Sequence, residues 1–236
     1  MQRDQFIRMM ETIAPPSLAE DFDIERIGLV LEGKEEIGCI CTALDATPTV
    51  VERAVSAGAD VLVLHHTPLW EPVHRLKGRR AGILRPLFMA GINVYVMHTN
   101  FDHAEGGVNA ALASLLGLTD VESMSLGLAG TCTLSFDEMM QAIGGGVRIW
   151  GRLPEEPEKL AVVGGSGFDP LLMDEAVSLG ADAFLSSELK HSVAIAAPLP
   201  LIESTHYALE APGMQMLAER HGWEFIDDPP EVSLFQ

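Results

Sequence analysis

The chain has 236 residues, 47% of them hydrophobic, with 34 acidic against 15 basic side chains and a formal charge of −19. That length supplies a sizeable core for one large domain or two intimate lobes, while a charge of that sign repels a phosphate backbone and argues against a nucleic-acid partner. No apolar run approaches the roughly 18 to 20 residues that span a bilayer, and Met1-Gln2-Arg3-Asp4 opens a polar amphipathic segment instead of a signal peptide. The expectation is a cytoplasmic protein without a membrane partner, acting on a small molecule or a metal.

Phe6, Ile7, Met10 and Ile13 recur at helical spacing, which predicts a helix over 4–13 stopped by Pro15-Pro16. After a strand-rich stretch, 37–44 reads as a buried strand. Thr47 offers an N-cap with Pro48 at the first helical position, and Gly58 a left-handed stop after 50–57. The next apolar run, 61–64, ends in His65-His66. A polar loop over 71–80 follows, holding the dense basic cluster Arg75, Lys77, Arg79 and Arg80, then a helix over 81–90 and a strand over 92–97 that delivers His98. Strand, helix and strand within about 30 residues imply a parallel sheet, whose ligand groups gather at strand carboxyl ends.

Residues 118–151 are less regular: a strand over 131–134, a helix over 136–143 and a Gly144-Gly145-Gly146 turn. The boundary between lobes is placed here, giving 1–125 and 126–236. Beyond it come a strand over 160–163, the turn Gly164-Gly165-Ser166-Gly167, and a helix opening near Asp169-Pro170.

The two halves repeat one another. Ala54-Val-Ser-Ala-Gly-Ala-Asp60 and Ala176-Val-Ser-Leu-Gly-Ala-Asp182 agree at six of seven positions. Each leads into an apolar strand, ending in His65-His66 in one half and Ser186-Ser187-Glu188 in the other. Later strands lead to His98-Thr-Asn-Phe-Asp102 and His206-Tyr-Ala-Leu-Glu210, an imidazole four residues before a carboxylate in each case. The fold class expected is therefore α/β: two similar lobes from an internal duplication, with mixed, mostly parallel sheets and flanking helices.

The chemistry of these strand ends points to metal. Cys39 and Cys41 alternate along one strand and Cys132 stands alone, so no thiolate zinc spacing or disulfide framework is present. Any metal falls to imidazole and carboxylate. His65 and His66 would face opposite sides of a regular strand, as one core and one surface residue, but a turn at the strand's end brings both into one cavity. Asp102 either caps the following helix, ligates, or does both. His98 ligates or orients Asp102, and the supporting role is the one expected. Three imidazoles and two carboxylates exceed the four ligands of a structural zinc. Two ions, Zn, Fe, Mn, Co or Ni, use them better, about 3.5 Å apart and sharing an activated water.

Glu188 is a capping residue or a general base. Lys190 and His191 are solvated neighbours or contacts to a substrate phosphate. The Gly164–Gly167 turn is structural, or an anion cradle at a helix N-terminus that lacks the P-loop Lys and hydroxyl. No Gly-x-Ser-x-Gly elbow is present, and no cysteine lies near a motif histidine.

Leu44-Asp-Ala-Thr-Pro48, Gly58-Ala-Asp60 with His65-His66, His98-to-Asp102 with Gly106-Gly-Val-Asn109, Gly164-to-Gly167, and His206-to-Glu210 resemble the NIF-three-like family, also called the GTP cyclohydrolase 1 type 2 family, over about 25–225. The resemblance implies a dinuclear centre held by His65, His66, Asp102, His206 and Glu210, two divalent ions per chain, and a toroidal homohexamer enclosing the sites. It implies a metal-dependent hydrolase of a nucleotide-like or other small substrate, with a metal (iron) carrier or regulatory scaffold for cofactor assembly as the alternative. The segment 118–151 is too short for the extra domain of longer relatives. This sequence departs from the family pattern at Thr67, where Pro commonly follows the His pair, at Ser186-Ser187 before Glu188, and at Thr205.

Overall fold

The computed structural model describes residues 1–144 and 146–233, so Gly145 of the expected glycine turn lies outside the described residues. The chain divides into two compact units, Met1–Glu105 with Met214–Gln236, and Gly106–Gly213.

The first unit contains α1 (Arg3–Ile13), β1 (Gly28–Leu31), β2 (Ile40–Ala43), α2 (Pro48–Ser56), β3 (Val61–Leu64), α3 (Gly78–Ala90), β4 (Asn93–Val96) and α4 (Thr99–His103). The second contains α5 (Val108–Leu115), β5 (Leu118–Ser123), β6 (Leu128–Cys132), α6 (Phe136–Ile143), β7 (Val147–Trp150), β8 (Lys159–Val162), α7 (Pro170–Ser178), β9 (Ala183–Ser186), α8 (His191–Ala194) and β10 (Leu201–Ser204). Helix α9 (His206–His221) begins in the second unit and ends in the first, where β11 (Glu224–Phe225) follows.

The first sheet has the order β1-β4-β3-β2-β11, antiparallel at β1 and parallel elsewhere. The second has the order β5-β6-β8-β9-β10-β7. Its centre, β8-β9-β10, is parallel, and β5, β6 and β7 pair antiparallel at the edges. The duplication is plain in this topology. In each unit an antiparallel strand, β1 or β7, precedes three successive parallel strands and pairs with the last of them. Both expected α/β lobes are present, with the second sheet less parallel than the first because β5 and β6 join through a short hairpin, whereas parallel neighbours need a crossover.

Strands β2, β3 and β4 are buried at every position because both sheet faces are covered. Cys41, Leu62, Leu64, Val94 and Val96 form one core with Val50, Val51 and Ala54 of α2 and Ile83 and Leu87 of α3. Phe6 of α1 meets Tyr95 of β4 edge-on, ring centroids 5.6 Å apart.

The seven-residue repeat is a helix stop joined to a strand clamp. Gly58 and Gly180 take φ of 69° and 79°, and Ala59 N and Ala181 N donate back to Ala54 O and Ala176 O at 3.0 Å. Asp60 Oδ2 then accepts from Gly38 N at 2.9 Å and Cys39 N at 3.0 Å, as Asp182 Oδ2 accepts from Glu158 N at 2.8 Å and Lys159 N at 3.0 Å. Because Asp60 takes the Gly38 and Cys39 amides, the strand expected from residue 37 begins at Ile40.

Local signals match elsewhere. Thr47 Oγ1 accepts from Val50 N at 3.1 Å, Asp169 caps α7 through Leu171 N at 2.8 Å, and Ser135 with Glu138 closes a capping box on α6. Helix α3 starts three residues before the expected 81, so Arg79 and Arg80 lie in its first turn. No helix among the described residues is long and apolar enough to cross a membrane.

Candidate metal centre

In the first unit, β3 and β4 end side by side and place three imidazoles together. The strand turns directly after Leu64, and His65 and His66 bring their ring centroids to 4.9 Å. The His98 ring lies 5.0 Å from that of His65 and 5.5 Å from that of His66. One ligand nitrogen from each of the three lies within 4.8 Å of the others, so this His/His/His cluster is compact enough to hold a metal ion. The adjacent pair converges as expected of a strand end, and the structure groups His98 with it.

Each ring is held at Nδ1. His65 Nδ1 lies 2.9 Å from Met97 O, His66 Nδ1 2.9 Å from Asp45 Oδ1, and His98 Nδ1 2.8 Å from Asp23 Oδ2. A carbonyl only accepts, so His65 carries its proton on Nδ1 and its lone pair on Nε2. Carboxylates do the same for the other two. Orientation of an imidazole by an oxygen at the far nitrogen is the arrangement that fixes a metal-binding tautomer.

His65 Nε2 stands 3.5 Å from Asp102 Oδ1. Two ligand bonds of roughly 2.1 Å meeting at a tetrahedral angle would set their donor atoms about 3.4 Å apart. That separation fits donors to a common cation better than it fits a hydrogen bond. Asp102 lies in the short helix α4, and Thr99 of the same helix anchors the support beneath it.

Asp23 was not apparent from the sequence. It has no exposed surface, and its Oδ2 accepts from His98 Nδ1, Thr99 N at 3.0 Å and Thr99 Oγ1 at 2.8 Å. Burial pushes its carboxyl up, but His98 and Thr99 outweigh this and hold it below the ordinary carboxylate value. Asp45, a residue of the Leu44–Pro48 motif with no role assigned from sequence, is the support of His66. Parallel strands set their carboxyl ends next to one another, and that is the signal by which the end of β2 could have been read against the end of β3.

In the second unit, His206 opens α9 and Glu210 follows one turn later. His206 Nε2 lies 2.8 Å from Glu210 Oε2, and His206 Nδ1 lies 2.8 Å from Glu188 Oε1. With Nδ1 held by Glu188, the Nε2 and Oε2 pair suits a shared proton or a metal ion. Glu188 takes a left-handed backbone, φ 62°, after β9, which costs a non-glycine residue of order 1 kcal/mol or more. That conformation turns its side chain onto His206.

The Gly164–Gly167 turn packs against this pair. Gly165 has φ 66°, and a Cβ there would sit 2.1 Å from Glu210 Oε1 and 3.3 Å from His206 Nε2. Gly164 N donates to Asn109 Oδ1 at 2.8 Å and Gly167 N to Ser186 Oγ at 2.8 Å. Two of the amides that an anion cradle would use are therefore committed to protein acceptors. Ser186 and Ser187 both donate to Gly165 O, at 2.9 and 2.6 Å, so they secure the turn. Lys190 and His191 are exposed at the start of α8, and neither makes a side-chain hydrogen bond or ion pair among the described residues.

The duplicated α/β architecture has counterparts in known proteins. Residues 1–227 match the Duf34/NIF3 (NGG1p interacting factor 3) family. The chain belongs to that family. A GTP cyclohydrolase 1 type 2 homolog of Methanothermobacter thermautotrophicus is 35% identical over 231 residues, covering 92% of this chain and 86% of that protein. Another, from Streptomyces coelicolor, is 30% identical over 258 residues, covering 93% and 88%. Among solved structures, reduced HcgD from Methanocaldococcus jannaschii superposes with a TM-score of 0.81 at 28% identity, covering 95% of this chain and 96% of that one. The likeness thus extends over nearly the whole of this chain and of each of these relatives.

Proposed function

We propose that this Duf34/NIF3 protein is a metal-dependent hydrolase with a dinuclear divalent centre. The family resemblance assigns its ligands as His65, His66, Asp102, His206 and Glu210, and the His98 imidazole stands beside those of His65 and His66. The observation that carries this reading is the Nδ1 support of every motif histidine: Met97 O for His65, Asp45 for His66, Asp23 for His98 and Glu188 for His206. Four rings held in one tautomer by four separate oxygens are costly to arrange for packing alone and are the usual setting of metal ligands.

Divalent ions held by these residues would supply activation of water near neutral pH and polarisation of an electrophile. The protein's own part is to hold the donors in place and to keep each Nδ1 engaged, so that Nε2 is the nitrogen offered to a metal. Glu188 acts on His206, so its role is positioning. The relatives' names point to a purine nucleotide as substrate; for GTP, one water would add at C8 and break the C8–N9 bond to leave a formamide on N7, and a second would cleave that formamide and release formate. The family resemblance also supports a toroidal homohexamer in the cytoplasm, which light scattering on the purified protein tests.

Elemental analysis of protein purified without a metal-affinity tag should return two divalent ions per chain, and would also identify the metal. His65→Ala and Asp102→Ala should each lower that content; full occupancy in both variants would sink the site. One observation favours a second reading, a metal carrier for cofactor assembly: Glu188 is engaged with His206, and Lys190 and His191 are exposed at the start of α8, so Glu188 is already committed to positioning. Fast transfer of bound metal to a chelating acceptor, together with no nucleotide hydrolysis by the loaded protein, would support the carrier.

A further inference from the structure

Trp70 follows the histidine pair by four residues and is used by nothing described so far. Its ring lies 5.1 Å from that of His98, nearly perpendicular at 81°, and 6.4 Å from that of His66. Arg26 fixes it from behind: the guanidinium carbon stands 5.8 Å from the indole centroid, and Arg26 Nε donates to Trp70 O at 2.8 Å. Arg26 is itself held by Phe22 O and by Glu71, 3.9 Å away.

Despite two imidazole rings and a guanidinium beside it, Trp70 remains 41% exposed. An indole usually gains stability by burying its large apolar surface. Here the ring is pinned by a cation and by backbone, beside two imidazoles of the candidate centre, with much of that surface left in solvent. A rigid, exposed aromatic face loses little conformational entropy when a flat partner stacks on it.

We infer that Trp70 is a specificity-determining residue: it stacks against a planar heteroaromatic ring of the substrate and sets that ring beside His66 and His98. The inference rests on the reading of these histidines as a metal centre and adds to it the chemical class of the group that is recognised. A sugar or a phosphate has no π-face and gains nothing from the indole, so selectivity for the ring is the signature.

The test uses metal-loaded full-length protein, elemental analysis and equilibrium dialysis, with guanosine, ribose and inorganic triphosphate as probes. In W70A the metal content should equal that of the wild type while guanosine binding falls about 5- to 150-fold, the range of one base-on-aromatic stack. W70F should retain most of the guanosine affinity, and triphosphate binding should be the same in all three proteins. Unchanged guanosine affinity in W70A, an equal loss for triphosphate, or absence of guanosine binding by the wild type would each overturn the assignment. Loss of metal from W70A would overturn it too, making Trp70 a prop for the histidines. Absence of metal from the wild type would instead remove the dinuclear reading, so the two failures are distinguishable.

Discussion

His98 Nδ1 lies 2.8 Å from Asp23 Oδ2, a carboxylate with no exposed surface that stands 75 residues earlier in the chain. The same oxygen accepts two bonds from Thr99, so one buried group orients the imidazole and anchors the start of α4, which carries Asp102.

Asp23→Asn keeps the size and one acceptor of this group but removes its charge. Metal affinity should fall about 10- to 100-fold, the usual effect of weakening an outer partner of a ligating histidine. Titration with a divalent ion, followed calorimetrically, measures it, and an unchanged far-UV spectrum would show that the fold survives.

Glu188→Ala removes the oxygen on His206 Nδ1 and also leaves Ala in the left-handed conformation. Glu188→Gln retains an acceptor at the same place. A positioning role predicts near wild-type metal content in the glutamine variant and a deficit in the alanine variant by elemental analysis. A proton-transferring role predicts the opposite emphasis, with the glutamine variant fully loaded but as inactive as the alanine variant.

Gly165→Ala should be among the most damaging single changes in the second unit. Its Cβ would meet Glu210 Oε1 at 2.1 Å, and the backbone is left-handed, so a stability loss of at least about 1 to 2 kcal/mol is expected together with reduced metal content. Denaturant unfolding and elemental analysis read the two effects separately. Gly180→Ala, also at positive φ but with open space around it, should cost stability and leave the metal untouched.

Asp60 supplies a pH signature. Burial pushes its carboxyl up, but Lys34 and the amides of Cys39 and Gly38 outweigh this and leave it below the ordinary value. A carboxylate with a depressed folded pKa stabilises above its unfolded pKa of about 3.9, and that contribution is lost as pH falls through the lower folded value. Asp60→Asn should therefore be less stable than wild type at pH 7, by about 1 to 3 kcal/mol for bonds to a charged acceptor. The gap should shrink as pH drops below about 4. Chemical denaturation at pH 7, 5 and 3 gives the comparison.

Where a decision depends on neighbours in the chain, the residues were enough. Thr47-Pro48 and Asp169-Pro170 start helices through side chains that reach amides two or three residues away, and the repeated Gly-Ala-Asp stops them through contacts just as local. The β-α-β succession and the burial of 61–64 likewise follow from hydrophobic pattern. Strands β5 and β7 were missed because they are largely exposed edges with no alternation of buried and exposed positions to mark them. Their pairing is set by partners distant in sequence. The histidines and carboxylates of the candidate centre were legible as strand-end motifs. Their supports were not, apart from Glu188, whose place at a strand end was visible but whose hold on His206 was not.

By itself, then, the sequence determined the duplicated α/β plan, the capped starts of α2 and α7 and which side chains are candidates for metal chemistry, because periodicity, caps and ligand types act over a few residues. Only tertiary structure decided that Asp23 and Asp45 hold His98 and His66, that Gly165 passes against Glu210, and that Trp70 stands over two imidazoles. Those relationships join strand ends and loops separated by up to 75 residues, and a separation of that kind is closed by the packing of the sheet, which no local pattern encodes.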